Sequence, residues 1–145
     1  DFTPDRFESG TINTAGVIAL GEGVDFVNRI TPEKILAHEL ALCRRFCAGA
    51  EKIRGVRLYN IITQMNSDLY APVVSFNIGD IPSTEGAAML SSRGFYMRGG
   101  LHCAPLAHKK IGTINSGTIR FSPSAFNTER EVDMLLKALE KIALK

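Results

Sequence analysis

The stretch GTIRFSPSAFNTEREVDMLLKAL, Gly117–Leu139, decides the fold. Its first part is a strand, Ser116–Ser124, that follows a glycine turn and carries Arg120 among apolar residues. Its second part opens with Thr128 and Glu131, three residues apart, the spacing of a capping box. Val132, Leu135, Leu136, Leu139 and Ile142 then recur at helical spacing and form a stripe to be buried. A strand followed by an amphipathic helix needs a sheet to pack on.

Working outward, VRLYNI (Val56–Ile61), PVVSFNI (Pro72–Ile78) and FYMRGG (Phe95–Gly100) carry the β-branched and aromatic residues of further strands. Between the last two, Ile81–Gly94 reads as a short capped helix with Gly94 at its end. Upstream, Thr31-Pro32-Glu33 is a helix start: cap, proline, acid. Leu36, Leu40, Cys43 and Cys47 follow on one face, widened by Ile35, Leu42 and Phe46, with a stop near Gly49 or Ile53. A further helix is expected from Thr14 to about Arg29, with Val17, Leu20, Val24 and Val27 in register. This order predicts an α+β fold, a small, mainly antiparallel sheet with helices packed on one face. No repeat and no low-complexity segment interrupts it.

A chain of 145 residues is about one domain, residues 1–145. A net charge of +2, with no basic run, gives no reason to expect a nucleic-acid partner. No apolar stretch approaches membrane length. Three cysteines, an odd number, point to a reducing compartment, the cytoplasm. The opening segment, DFTPDRFESGTINTAGV, is polar and turn-rich and reads as a cut point within a longer protein.

The chemistry gathers in RGGLHCAPLAHKKIGT, Arg98–Thr113. Arg98, His102, Lys109 and Lys110 would favour a Cys103 thiolate, and Gly99-Gly100 lets the backbone turn. The alternative is an inert, buried cysteine. A metal site would have to recruit Cys43 and Cys47, which the apolar face of their helix claims for the core, so no metal is expected. Gly10-Thr11 offers a backbone N–H and a hydroxyl to an anion, or is an ordinary turn capping the helix at Thr14. Arg120 is either a solvated or ion-paired side chain or a bidentate clamp for a carboxylate.

RFESGTINTAGVIALGEGVDFV, RGGLHCAPLAH and GTIRFSPSAFNTEREVDMLLKAL, in that order, resemble the C-terminal part of class V aminotransferases, the cysteine desulfurase-like pyridoxal-phosphate enzymes of fold type I. The resemblance implies a C-terminal small domain acting in a homodimer. Gly10 and Thr11 would contact the cofactor phosphate of the partner subunit. Cys103 would take sulfur from cysteine as persulfide. Arg120 would bind the substrate carboxylate, with Arg98 and His102 beside it. It further implies that the lysine and aspartate that hold the cofactor lie in a large domain absent from these residues, so pyridoxal 5′-phosphate is not expected to stay bound to them and they are inactive alone. A sulfur-acceptor protein would receive the persulfide. Many desulfurases of this loop type carry two histidines before the cysteine, and Leu101 stands at the first of them. A selenocysteine lyase, a true aminotransferase and a non-catalytic α+β binding module are the rival readings.

Overall fold

In a computed structural model of the chain, residues 2–7 and 10–144 are described. The order of elements is helix α1 (Thr14–Ile30), α2 (Pro32–Ala50), strand β1 (Val56–Leu58), β2 (Val74–Ile78), α3 (Ser83–Ser91), β3 (Arg98–Gly100), α4 (Pro105–Lys110), β4 (Thr118–Phe121) and α5 (Glu129–Ala143), with 3-10 turns at Asp5–Phe7 and Ser67–Leu69. The fold is α+β. The chain divides into two units, residues 1–35 and 36–145.

In the first unit, Asn13 caps α1 by accepting the Gly16 N–H at 3.0 Å, and the helix begins at Thr14 as its sequence predicts. None of the residues of α1 is buried, so Val17, Leu20, Val24 and Val27 form an exposed apolar stripe. Thr31 caps the start of α2 as its sequence predicts, accepting the Lys34 N–H at 3.5 Å.

In the second unit the sheet order is β1-β2-β4-β3, antiparallel throughout. Side chains alternate across it. Val74, Phe76, Ile78, Ile119 and Phe121 face the core, where α2, α3 and α5 contribute Phe46, Leu90, Leu135 and Leu139. Phe46 stacks on Phe121 at 4.4 Å between centroids and tilts against Phe76 at 5.2 Å. Cys43 and Cys47 are buried as expected, but Leu36 is 44% exposed because the core begins only at Leu40. Arg45 of α2 donates to both carboxylate oxygens of Asp133 and to Glu129, tying α2 to α5. The capping box at Thr128 and Glu131 forms as read from sequence.

The strands are shorter than their sequence patterns. β3 keeps only Arg98–Gly100 of the expected Phe95–Gly100. Phe95 is instead spent on ending α3. Its N–H reaches back to Leu90 O at 3.0 Å while Gly94 turns at φ 86°, which is the Schellman closure. The segment expected to be loop after Cys103 contains α4, whose His108 is buried. Among the described residues no helix is long and apolar enough to cross a membrane.

Gly99 faces α3 so closely that a Cβ there would run into the Ser83 carbonyl. Gly99→Ala should therefore destabilise the domain by about 1–3 kcal/mol, read from urea unfolding. An unchanged midpoint would show that α3 can retreat.

Candidate active site

Two arginines lie on the face of the sheet away from the core. Arg98 of β3 and Arg120 of β4 are direct cross-strand partners, and Ser75 of β2 sits opposite Arg120 on its other side. The next row along the same face holds Arg57, Asn77, Thr118 and Gly100. Two like charges directly opposed on an antiparallel pair repel. The ion pairs recorded among the described residues belong to Arg45, so no carboxylate neutralises Arg98 or Arg120 there. A cleft of about 710 Å³ opens beside the two arginines, walled by Tyr96, Phe121, Asn127 and Met134. Two free guanidinium groups bordering a cleft suit an anionic ligand, and their planar forks match a carboxylate.

β3 ends at Gly100, whose φ of 125° is a value that side chains rarely adopt. The chain then turns through Leu101-His102-Cys103-Ala104. His102 and Cys103 have φ of 51° and 57°, and the Ala104 N–H closes the turn on Leu101 O at 2.9 Å. Two central residues at positive φ make a mirror-image turn normally built from Gly or Asn. Cys103, at its tip, is exposed. His102 is half-buried, and its Nε2 lies 2.9 Å from the carbonyl oxygen of Thr118. A carbonyl only accepts, so Nε2 carries the hydrogen. Burial pushes the His102 pKa below its ordinary value. The Thr118 hydrogen bond works the other way, and the charges of Arg120, His108 and Arg98 add to the depression. His108 stands behind, its ring centroid 6.1 Å from that of His102, with Nδ1 at 2.7 Å from Thr113 Oγ1.

The structure thus sets Arg98 opposite Arg120 with His102 within reach of both charges, and Cys103 follows His102 at the tip of the turn. Gly10 and Thr11 belong to the other unit. Both are exposed, and the space around the Gly10 Cα is open, as an approaching anion would need. Cys43 and Cys47 are core residues. Burial, with Cys47 and Glu39 nearby, pushes the Cys43 thiol up to about 12, and burial raises Cys47 as well. Sequence reasoning missed the Thr118 carbonyl and the His108–Thr113 pair, because neither a backbone acceptor nor a buried histidine announces itself by residue type.

Known proteins resemble this chain in sequence and in fold. The family model for class V aminotransferases matches residues 1–135, and the chain belongs to that family. It is 34% identical over 142 residues to a protein of Methanothermobacter thermautotrophicus named "Probable cysteine desulfurase", covering 97% of this chain and 34% of that one. A Xylella fastidiosa protein of the same name is 36% identical over 139 residues, covering 96% and 32%. The solved apo structure of a cysteine desulfurase from Thermococcus onnurineus superposes with a TM-score of 0.81 at 33% identity, over 97% of this chain and 34% of that one. The chain thus spans about a third of the length of these relatives. Class V aminotransferases in general use pyridoxal phosphate.

Two outcomes follow. In native protein, iodoacetamide should label Cys103 alone, and Cys43 and Cys47 only after denaturation; labelling of either helical cysteine in the native state would contradict their burial. The depressed His102 pKa means that the unfolded chain binds more protons between that value and the ordinary one of about 6.5. Stability is therefore complete above that window and falls as pH drops through it. His102→Gln should flatten this acid limb in urea midpoints measured from about pH 7.5 to about pH 5.

Proposed function

We propose that the chain is the C-terminal small domain of a pyridoxal-phosphate-dependent cysteine desulfurase, and that Cys103 is the thiol that receives the sulfur. The observation that carries this reading is the exposed Cys103 at the tip of a left-handed turn, leading directly from the strand that sets Arg98 opposite Arg120. A buried, inert cysteine needs neither strain nor exposure.

Arg120 clamps the carboxylate of the substrate cysteine through two parallel hydrogen bonds, and Arg98 adds a second positive charge. This fixes the substrate sulfur within reach of the loop, converting a chance encounter into a positioned one. The Cys103 thiolate attacks that sulfur. The new S–S bond forms as the substrate C–S bond breaks, and the electron pair stays with the substrate carbon. That carbon takes a proton and leaves as alanine, and Cys103 keeps the sulfur as persulfide. Pyridoxal phosphate, when bound, supplies the electron sink that makes the substrate carbon a good leaving group. The chain's own part in holding it is confined to the phosphate, which Gly10 and Thr11 would contact across a homodimer. Exposure of Cys103 supports delivery of the persulfide to an acceptor protein.

The test uses full-length protein with pyridoxal phosphate and cysteine. Cys103→Ala should abolish sulfide release. Arg120→Lys keeps the charge but loses the fork, and kcat/KM should fall about ten- to a thousandfold, or ~1.4 to 4 kcal/mol of transition-state stabilisation. Normal turnover in Arg120→Lys would remove the carboxylate role. Undiminished release from Cys103→Ala would point to a lyase that cleaves the C–S bond without the thiol.

A further inference from the structure

We propose that His102 is a positioning residue, a tether from the turn to strand β4 that holds Cys103 in its left-handed conformation, and not a ligand of the substrate. This rests on the reading of Cys103 as the sulfur-receiving thiol.

Three residues other than glycine have positive φ among those described, and two of them are His102 and Cys103, side by side. Neither histidine nor cysteine prefers that conformation, so surrounding contacts must impose it. One hydrogen bond closes the turn, from Ala104 N–H to Leu101 O at 2.9 Å. A short turn with two unfavourable central residues would relax if that were its only restraint. The second restraint is the imidazole. His102 is the first central residue, and its Nε2–H reaches Thr118 O at 2.9 Å. Thr118 is the cross-strand partner of Gly100, the last residue before the turn, and it is fully buried. The ring therefore spans from the turn back to the strand that anchors the turn's own stem. Behind it, the buried His108 is fixed by Thr113 Oγ1 at 2.7 Å and backs the His102 ring.

The same bond decides against a role on the substrate. With Nε2–H committed to Thr118, a neutral ring offers only the Nδ1 lone pair, which cannot donate to a carboxylate. Burial and the positive charges of Arg98 and Arg120 disfavour the protonated ring that could. The carboxylate is left to the arginines. Leu101, the preceding residue, has no side-chain donor, so the turn depends on one histidine.

The experiment compares wild type, His102→Ala and His102→Gln in the full-length enzyme with pyridoxal phosphate bound. Gln places an amide N–H near the Nε2 position and does not titrate. The first readout is hydrogen exchange of the Ala104 amide, resolved by mass spectrometry with fragmentation. It should speed up about tenfold or more in His102→Ala and return toward wild type in His102→Gln. The second is steady-state kinetics with cysteine. Loss of positioning should lower kcat about tenfold or more and leave KM within about twofold, with Gln restoring most of kcat. Unchanged Ala104 exchange with a raised KM would overturn the proposal and make His102 a substrate ligand. Should His102→Ala not fold, His102→Asn replaces it. Asn tolerates positive φ but is too short to reach Thr118, so Ala104 exchange should again accelerate, and wild-type exchange there would overturn the tether. If the enzyme releases no sulfide from cysteine, the desulfurase reading fails, while the exchange data still decide the tether.

Discussion

The antiparallel pairing of β3 with β4, in one register, is the constraint on which the site depends. Gly99 lies opposite Ile119 and faces α3, where only a residue without Cβ fits against the Ser83 carbonyl. That contact fixes which face each neighbour takes. Arg98 and Gly100 must point the other way, and Arg120 and Thr118 with them. A slip by one residue would send the arginines into the core and the apolar residues into solvent. The close approach of a helix to one face of the sheet thus sets the placement of two charges on the other.

The remaining parts of the site follow from how the chain leaves that pairing. Gly100 bends away at a φ open to glycine, and the next two residues adopt the left-handed region without being glycine. Such strain persists where neighbouring structure over-determines it and is concentrated at functional positions. Here the Thr118 carbonyl, part of the same paired row, restrains the turn. The uncompensated pair Arg98 and Arg120 is a second cost of the same kind. A carboxylate held between two such forks would relieve that repulsion.

Much of the architecture was legible in the sequence. The capping box at Thr128, the proline start at Pro32 and the stripe on α5 are local signals, and they hold because local hydrogen bonding and helical period do not depend on distant residues. Strand lengths were not legible. Phe95, Tyr96 and Met97 have strand composition, but the Schellman closure of α3 takes Phe95 for itself. α4 was missed because Pro105 reads equally as a loop exit and as a first helical residue, and the burial of His108 against the His102 ring is a tertiary fact. For the site, the motifs supplied Arg98, His102, Cys103 and Arg120 by resemblance. That the two arginines face each other, and that the His102 Nε2 is already spent, depends on register and on a backbone carbonyl, which residue types do not encode.

The most direct measurement of the central claim is to find the sulfur. Full-length protein loaded with pyridoxal phosphate is incubated with cysteine, trapped with an alkylating agent and digested, and each cysteine peptide is weighed. The account predicts one additional sulfur atom on the peptide containing Cys103 and none on the peptides containing Cys43 and Cys47. Sulfide released into solution with no added mass on Cys103, or added sulfur on a helical cysteine, would contradict it.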